Sequence, residues 1–355
     1  MRERACQKIK ERLDSYSLDA ILISSLDNIR YISGFTGSEG IIMFCRDQSY
    51  FLTDSRYTTQ AAEQTSGFIV QQYRKKESEI SELIIRLCFK NVGFEPKHIT
   101  FEAYNKLSEN LQDTRLIPIP KGLESIRSKK EEAEVESIKE AIRIASESYL
   151  QAIKKIEFGI EEREVALEIE YLIKRRGGQG IPFDIIVASG KRAALPHGVS
   201  SNKRIEKGDL VLIDFGARYQ GYCSDETQTL VVGKPTHEQK KIHQIVRDSQ
   251  QKAFEAIKPG VDVTKVDIAA RDYIEKAGFG KYFGHGTGHG VGLAVHEMPH
   301  ISPLSEGIIE EGMVFTIEPG IYIPRWGGVR LEDMIRVTSF GCERLTYLSK
   351  DLYIA

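Results

Sequence analysis

The sequence predicts an α+β catalytic domain preceded by a smaller α/β domain, and three observations lead to this prediction. The chain has 355 residues, which is enough apolar sequence for two hydrophobic cores. Short apolar runs alternate with amphipathic stretches up to about residue 120, whereas later runs combine helical and strand-like periodicity. A basic, loop-like segment, 120–130, lies between the two patterns. We therefore expect two domains, 1–125 and 126–355.

The first domain is predicted to combine strands with surface helices. Its strand-like runs are rich in β-branched and aromatic residues, which favour a pleated sheet. These runs are Ala20–Ile23, Ile41–Phe44, Tyr50–Thr53 and Phe68–Gln71. Two amphipathic stretches, 78–87 and 103–111, are typical of helices that cover such a sheet. This part of the chain does not concentrate the residue types that carry out catalysis.

The second domain begins with the clearest helical pattern in the sequence. Ser128 and Glu131 have the spacing of a capping box, and apolar residues then recur at helical spacing over 135–149. A second helix is expected over 161–176. The glycine pair 177–178 follows it and suits a left-handed cap at its carboxyl end.

The rest of the second domain has the pattern of helices packed against a largely antiparallel sheet. The run 209–232 has two apolar segments on either side of a glycine-containing turn, which predicts a hairpin. Helices are expected at 237–257 and 263–277, and further strands at 314–317 and 329–337.

Charge and cysteine content narrow the class of protein. The 49 basic and 51 acidic residues leave a net charge of −2, which gives no electrostatic reason to expect a nucleic acid or a membrane surface as partner. The five cysteines are scattered without a CxxC pair, so a disulfide framework is not indicated. The amino-terminal stretch lacks the apolar core of a signal peptide, and no apolar run approaches the roughly 20 residues of a membrane span. We expect a cytoplasmic protein.

Four of the eight histidines fall within one stretch, HGTGHGVGLAVHEMPH. They are His285, His289, His296 and His300. The interleaved glycines allow close approach of the backbone, so the stretch is typical of a loop and strand edge that bring imidazoles to one point. A glycine-rich surface loop that happens to contain histidines is the alternative interpretation.

Four acidic residues interrupt or adjoin apolar strands in a way that needs an explanation. They are Asp214 in VLIDFG, Asp225 across the predicted hairpin, Glu318 in FTIEPG and Glu332 in VRLED. A buried, unpaired carboxylate is costly, so each requires a hydrogen-bonding partner or a metal ion. One such residue alone is more often satisfied by hydrogen bonds. Four of them together with a histidine cluster indicate a metal centre.

Charge balance predicts how many metal ions such a centre needs. Four carboxylates and one neutral imidazole call for about two divalent cations and a bridging hydroxide. Ligation mainly by oxygen suits Mn²⁺, with Co²⁺ or Zn²⁺ as alternatives. Two such ions about 3.5 to 4 Å apart can share and deprotonate one water, so the chemistry that we expect is hydrolysis.

The same residues resemble a known family. The string from His285 to Glu297 is similar to the signature of the pita-bread metallopeptidases, which include aminopeptidase P, prolidase and methionine aminopeptidase. The resemblance extends in family order from FDIIVASGKRAALPHG through LVLIDFGARYQGYCSD to TIEPGIY and GGVRLED. In the first half, NIRYISGF near Ile32 resembles the amino-terminal domain shared by aminopeptidase P, prolidase and creatinase. The implied architecture is a creatinase-like α/β domain followed by a pita-bread catalytic domain.

The resemblance also assigns roles to individual residues. It implies five metal ligands, of which the second aspartate and the last glutamate bridge the ions: Asp214, Asp225, His289, Glu318 and Glu332. It implies that His197 and His296 bind substrate, stabilise the tetrahedral intermediate and move protons, and that Glu318 accepts a proton from the bridging water. His285 matches a position near the proline end of the substrate pocket, and Arg330 one that pairs with metal-site carboxylates. A loop hydrogen bond and a strand-surface charge are the respective alternatives for these two.

The activity implied by the resemblance is that of a dinuclear-metal exopeptidase acting on short proline-containing peptides. We expect an Xaa-Pro aminopeptidase, in which a metal-bridging hydroxide attacks the bond before a proline at the second position. The alternative is an Xaa-Pro dipeptidase, or prolidase. A compact relative with prolidase activity has an arginine just after the HE pair to hold the substrate carboxylate. His300 occupies that place here, which favours the aminopeptidase, although Arg325 is another candidate for the same role.

Three other interpretations are weaker. Methionine aminopeptidase shares the five-ligand pattern but has no reason to carry an amino-terminal domain of this size. Creatinase has that domain but lacks the ligands. A catalytically silent peptide-binding relative would be expected to have lost ligands, whereas all five positions match here. The resemblance further implies a homodimer.

Overall fold

The computed structural model describes residues 2–120 and 123–355. The chain separates into two compact units, one ending at Arg127 and the other beginning at Ser128. Within the described ranges, every helix is too short or too polar to cross a membrane.

The first unit is a mixed sheet with helices around it. Its helices are α1 (Arg2–Ser15), α2 (Leu26–Ser33), α3 (Thr58–Gln64), α4 (Lys76–Arg86), α5 (Phe101–Asn110) and α6 (Glu124–Arg127). Its strands are β1 (Ala20–Ile23), β2 (Ile41–Cys45), β3 (Ser49–Thr53), β4 (Phe68–Gln72), β5 (Asn91–Phe94) and β6 (Arg115–Pro118). They lie in the order β4-β3-β2-β1-β5-β6. Strand β1 pairs antiparallel with β2 and parallel with β5, so the sheet combines both kinds of ladder.

The four predicted strands and two predicted helices of this unit are confirmed. Strands β1 and β2 are buried along their whole length, because their residues are apolar and the flanking helices cover them. Strands β5 and β6 were not predicted. Each has four residues, and β5 contains Asn91 and Gly93, which have low strand propensity.

The second unit contains four long helices and thirteen strands among its described residues. The helices are α7 (Glu132–Ala152), α8 (Glu162–Arg175), α9 (His237–Ala256) and α10 (Val263–Lys276), with short 3₁₀ turns at Ile153–Lys155, Gly190–Ala194 and Gly280–Tyr282. The first six strands are β7 (Ile186–Ser189), β8 (Leu210–Phe215), β9 (Arg218–Tyr219), β10 (Tyr222–Cys223), β11 (Glu226–Val231) and β12 (Gly288–Gly290). The other seven are β13 (Glu297–Ile301), β14 (Val314–Ile317), β15 (Gly320–Ile323), β16 (Gly327–Arg330), β17 (Asp333–Val337), β18 (Cys342–Arg344) and β19 (Tyr353–Ile354).

Two larger sheets and two hairpins organise these strands. One sheet has the order β19-β11-β8-β7 and the other the order β13-β12-β14-β17-β18, while β9 pairs with β10 and β15 with β16. The predicted hairpin over 209–232 is confirmed as the antiparallel pair β8 and β11, in which Asp214 lies opposite Thr227. In the second sheet Ile317 lies opposite Asp333. These registers bring the predicted site residues of different strands together.

The helix predicted after residue 128 begins later than its capping signal indicates. The capping box is formed by Glu131 and Glu134, and α7 begins at Glu132. The reason is that Lys129 and Lys130 are extended: Lys129 forms a β-bridge with Met313, and the Lys130 amide donates to the carbonyl of Gly312 at 2.8 Å. A helix cannot begin while its first turn is held in a ladder. The later helix α8 ends as predicted, with Gly177 at a φ of 89°.

The single strand predicted over 329–337 is wrong. The structure has two strands there, β16 and β17, which belong to different sheets, and Leu331 and Glu332 lie between them. The break has little signal in the sequence, because the two strand-like segments follow each other without a glycine or proline between them. Glu332 consequently lies at the junction between two sheets rather than inside a ladder.

Candidate metal centre and active site

One cavity of about 760 Å³ in the second unit brings the predicted site residues together. All nine lie in its lining: His197, Asp214, Asp225, His285, His289, His296, Glu318, Arg330 and Glu332. His300, Ser302 and Ser305 lie in the same lining. Arg325 does not belong to it.

Five of these residues approach the cavity from separate strands or strand ends. Asp214 lies within β8, and Asp225 immediately precedes β11. His289 is the central residue of β12, and Glu318 immediately follows β14. Because Asp214 faces Thr227 across the ladder, and Asp225 is two residues from Thr227, the alternation of a strand places both aspartates on one face. Glu332 completes the group from the junction between β16 and β17.

The distances within this group are short enough for shared ligands. Side-chain atoms of Asp225, His289 and Glu332 all lie within 4.8 Å of one another. The Nε2 atom of His289 is 3.3 Å from Oε1 of Glu318 and 3.6 Å from Oδ2 of Asp225. Asp214 faces the same cavity, and its Oδ1 atom is buried without a hydrogen-bond partner among the described residues.

Burial and mutual repulsion make these carboxylates unstable as anions without a counter-charge. Burial raises the pKa of Asp214, although the neighbouring Arg330 opposes the shift. Burial, followed by the charges of Glu332 and Asp214, raises the pKa of Asp225 well above its usual value. Burial and the charge of Glu318 do the same to the pKa of Glu332. Cations in the cavity would remove this repulsion.

His289 has the form of a metal ligand. Burial lowers its pKa to about 4, so the imidazole is neutral near pH 7. Its Nδ1 lies 3.2 Å from the carbonyl oxygen of Gly290, and the tautomer with the proton on Nδ1 donates a hydrogen bond to that oxygen and leaves the lone pair on Nε2. This lone pair faces the carboxylates of Asp225 and Glu318, an arrangement that is unfavourable unless a cation lies between them.

These observations fit divalent cations held by four carboxylates and one neutral imidazole. The unpartnered oxygen of Asp214, the raised carboxylate pKa values and the facing lone pairs all call for positive charge at the same place. Oxygen and imidazole donors without a thiolate suit hard or borderline ions.

Arg330 is a buried partner of the site. It is only 3 % exposed, and its guanidinium donates to Oδ2 of Asp214 at 2.6 Å. It also donates to the hydroxyl of Tyr322 at 3.0 Å and to the carbonyl of Pro196 at 3.0 Å. The alternative interpretation of a strand-surface charge is therefore wrong.

His285 lies between a loop carbonyl and a tyrosine. Its Nδ1 is 2.8 Å from the carbonyl oxygen of Gly286, and its Nε2 is 2.9 Å from the hydroxyl of Tyr322. Burial lowers its pKa, which favours the neutral ring. The loop hydrogen bond that we considered as an alternative is present, and the ring also lines the cavity.

His197 and His296 are exposed at the cavity wall. His197 follows the 3₁₀ turn Gly190–Ala194, and His296 precedes β13. The rings of His296 and His289 are 4.2 Å apart between their centroids, so His296 is next to the metal-ligand group. Partial burial lowers the pKa of His296.

Sequence reasoning missed three residues that hold this group in place. The Thr227 hydroxyl donates to Oε2 of Glu332 at 2.7 Å, and the Thr316 hydroxyl donates to Oε1 of Glu318 at 3.2 Å. Tyr322 is the third, through its contacts with Arg330 and His285. Strand alternation was the available signal, because each threonine lies two residues from a predicted ligand. Tyr322 had no such signal.

Comparison with known proteins extends these findings to the whole chain. Residues 136–339 match the model of metallopeptidase family M24, and residues 6–129 match the creatinase/prolidase N-terminal domain. The Xaa-Pro dipeptidase of Pyrococcus horikoshii is 41% identical over 357 residues, which cover 98% of this chain and 97% of that protein.

Two solved structures are similar over nearly the whole chain. The Xaa-Pro dipeptidase from Bacillus anthracis has a TM-score of 0.96 and 40% identity, with 100% of both chains covered. The X-Pro aminopeptidase from Thermotoga maritima has a TM-score of 0.89 and 37% identity, with 97% of this chain and 100% of that chain covered. The chain therefore belongs to metallopeptidase family M24, and it is a hydrolase in which a creatinase-like amino-terminal domain precedes a pita-bread catalytic domain.

Proposed function

We propose that this protein is an Xaa-Pro dipeptidase that uses two divalent metal ions. The observation that carries the proposal is its full-length similarity, at 40% identity, to an Xaa-Pro dipeptidase of known structure. The sequence alone favoured the aminopeptidase on the ground that His300 replaces an arginine. The relatives favour the dipeptidase instead.

Five residues would hold the metal ions: Asp214, Asp225, His289, Glu318 and Glu332. Mn²⁺ suits this mainly oxygen donor set, with Co²⁺ and Zn²⁺ as alternatives. Bound divalent cations would polarise the substrate carbonyl and lower the pKa of a water that supplies the nucleophile.

The protein's own groups would orient the reactants and move the protons. Glu318 is the proposed acceptor of the proton from the attacking water, and it would pass that proton to the proline nitrogen as the peptide bond breaks. His296 would donate a hydrogen bond to the carbonyl oxygen as negative charge develops there. His197, at the same wall, is the second candidate for proton transfer.

Both ends of a dipeptide can be accommodated by groups of the cavity. The acidic residues attract the free amino group. A dipeptidase also needs a donor for the substrate carboxylate, and His300, Ser302 and Ser305 lie in the lining for this role. Arg330 is already committed to Asp214, so we propose His300 as the main carboxylate contact. His285 would lie near the proline ring.

An Xaa-Pro aminopeptidase is the second candidate. The similarity to the X-Pro aminopeptidase from Thermotoga maritima supports it, because that structure also matches nearly the whole chain. An imidazole such as that of His300 binds a carboxylate less firmly than the bidentate guanidinium of an arginine does. The site would then depend less on a free carboxylate after proline, so a longer peptide could bind.

Side-by-side hydrolysis of Ala-Pro, Ala-Pro-Ala and Met-Ala-Ser by metal-stripped protein resupplied with Mn²⁺ distinguishes these functions. The proposal predicts cleavage of Ala-Pro and little cleavage of Ala-Pro-Ala. Efficient release of alanine from Ala-Pro-Ala would make the protein an aminopeptidase. Release of methionine alone would overturn the specificity for proline.

Three further expectations belong to this proposal. We propose a homodimer, which light scattering of the eluting protein would test. The domain limits, 1–125 and 126–355, would be tested by limited proteolysis between the two units. A cytoplasmic location would be tested by cell fractionation.

A further inference from the structure

Gln250 is a buried polar residue on α9 that contacts two of the site-bearing segments. Its side chain is 2 % exposed. The Nε2 atom donates to the carbonyl oxygen of Ile317 at 2.9 Å and to the carbonyl oxygen of Leu331 at 3.2 Å. Both donors of the amide group are thus used on backbone acceptors.

Each of these carbonyls belongs to the residue immediately before a proposed metal ligand. Ile317 is the last residue of β14 and precedes Glu318, while Leu331 precedes Glu332. A carbonyl group and the Cα atom of the next residue lie in one rigid peptide plane. Fixing the two carbonyls therefore fixes the positions from which both glutamate side chains leave the backbone.

The strand ladders alone do not hold both the segment before Glu318 and the segment before Glu332. Ile317 is held in the ladder between β14 and β17, where it lies opposite Asp333. Leu331 and Glu332 lie between β16 and β17, at the place where the chain passes from one sheet to the other. A buried carbonyl at such a break needs a partner from outside the ladders, and Gln250 supplies it for Leu331.

The amide groups of the same two peptide bonds, Ile317–Glu318 and Leu331–Glu332, are held by other backbone carbonyls. The amide of Glu318 donates to the carbonyl of Thr287 at 2.7 Å, and the amide of Glu332 donates to the carbonyl of Thr227 at 3.1 Å. One of these bonds runs to the segment just before β12 and the other to β11. Among the described contacts, the Gln250 amide group links the Glu318 segment directly to the Glu332 segment through a single side-chain atom.

We propose that Gln250 is a positioning residue that sets the spacing between Glu318 and Glu332 and thereby the affinity of the site for divalent metal. The inference rests on the proposed ligand role of these two glutamates. It goes further in assigning a metal-tuning role to a side chain of α9 that does not line the cavity. Loss of partners that orient ligands typically weakens metal binding about 10- to 100-fold.

The test compares Gln250→Met with Ser249→Ala in the full chain. Methionine keeps the length of the side chain but has no donor for either carbonyl. Ser249 is the preceding residue of the same helix, and its hydroxyl donates to the carbonyl of Ala270 at 3.1 Å, away from the ligand segments. Both variants lose buried hydrogen bonds to backbone carbonyls, but only Gln250→Met loses them next to proposed metal ligands.

Metal affinity is the main measurement, made by titrating metal-stripped protein with Mn²⁺ in a calorimeter and counting bound ions by elemental analysis. We expect Gln250→Met to bind Mn²⁺ about 10- to 100-fold more weakly than the unaltered protein. Its kcat should recover at saturating Mn²⁺. Ser249→Ala should retain the affinity of the unaltered protein.

Two results would overturn the inference: unchanged Mn²⁺ affinity in Gln250→Met, or an equal loss of affinity in both variants, which would show a general packing effect. If Gln250→Met does not fold, Gln250→Leu replaces it, because leucine also lacks a donor for either carbonyl and introduces no charge, so the same loss of Mn²⁺ affinity is expected. Failure of the unaltered protein to bind Mn²⁺ would instead contradict the proposed metal centre, so the two failures are distinguishable.

Discussion

At the scale of single residues, the site depends on groups that are costly to bury alone. Asp214 has one oxygen held by Arg330 and a second oxygen without a partner among the described residues. Glu332 is held on one oxygen by Thr227, and its raised pKa reflects burial next to other acids. Such an arrangement is typical of a site that is completed by cations.

Replacement of Glu332 by alanine tests this interpretation. We expect Glu332→Ala to abolish hydrolysis of Ala-Pro and to lower the bound Mn²⁺ below two ions per chain, because a proposed bridging ligand is lost. Elemental analysis of the dialysed variant measures the metal content. The exposed Glu311 provides a control, since Glu311→Ala should leave both properties unchanged. Full metal content with full activity in Glu332→Ala would refute the ligand assignment.

Replacement of His300 tests the proposed carboxylate contact. We expect His300→Ala to raise KM for Ala-Pro about tenfold with a smaller effect on kcat, because a contact with the unreactive end contributes mainly to uniform binding. Steady-state kinetics at saturating Mn²⁺ measures both constants. His300→Arg should keep a low KM. An unchanged KM in His300→Ala would remove His300 from the substrate site.

His243 shows where sequence reasoning failed at this scale. Its neighbours in sequence are polar, which is typical of a surface residue, but its side chain is 4 % exposed on the inner face of α9. Burial, followed by the positive charge of Arg247, lowers its pKa to about 4. Helical periodicity could have indicated its position, because Gln239, Val246 and Gln250 on the same face are also buried.

This pKa shift predicts a pH dependence of stability. Above pH 6.5 the His243 ring is neutral in both the folded and unfolded states, so it does not contribute to the pH dependence of stability. Between pH 6.5 and about 4 the unfolded chain binds a proton that the folded protein does not. The free energy of unfolding should therefore decrease as the pH is lowered from 6.5 to about 4, by roughly 3 kcal/mol for this group. The His243→Leu variant should show a flatter dependence in this range. Urea unfolding at several pH values measures it. The control is His237→Leu at an exposed position, which should keep the pH dependence of the unaltered protein. A pH profile of His243→Leu identical to that of the unaltered protein would contradict the prediction.

At the scale of secondary-structure elements, a buried ion network joins strands that carry proposed ligands to the carboxyl-terminal segment. The Lys350 ammonium lies 2.7 Å from Glu226 on β11 and 3.2 Å from Asp333 on β17. These acids directly follow Asp225 and Glu332 in sequence, so Lys350 holds the two strands from the side opposite the cavity. Ser146 on α7 donates to Glu226 at 3.1 Å and extends the network to a helix.

Removal of the Lys350 charge should be strongly destabilising. We expect Lys350→Met to lower the free energy of unfolding by about 3 to 5 kcal/mol, because two buried carboxylates lose their cation. Guanidinium unfolding of the metal-stripped protein measures the change. Lys252→Met removes the solvent-exposed partner of Glu255 and should leave the free energy of unfolding nearly unchanged. Similar losses in the two variants would show that the buried network contributes little.

The sequence predicted elements where periodicity was strong and failed where tertiary contacts decided. Helices α8, α9 and α10 were predicted within a few residues because their apolar faces repeat at helical spacing. The start of α7 was misplaced because a β-bridge at Lys129 competes with the first turn. The break at Leu331 was missed because two strands of different sheets follow each other without a glycine or proline between them.

At the scale of the whole molecule, the predicted site residues are drawn from positions 197 to 332 and meet in one cavity of the second unit. The resemblance in sequence named them, but spacing alone could not, since their convergence depends on pairing between distant strands. The resemblance implied that Arg330 pairs with a metal-site carboxylate, and the structure places its guanidinium against Asp214. The link from Gln250 to two backbone carbonyls depends on three-dimensional packing and could not be predicted from the pattern of residues.

The most direct test of the central claim is a crystal structure of the Mn²⁺-loaded protein with anomalous diffraction recorded at the manganese edge. Our account predicts two anomalous peaks about 3.5 to 4 Å apart within the group formed by the five proposed ligands. A cavity without anomalous peaks at saturating Mn²⁺, or peaks coordinated by other residues, would contradict it.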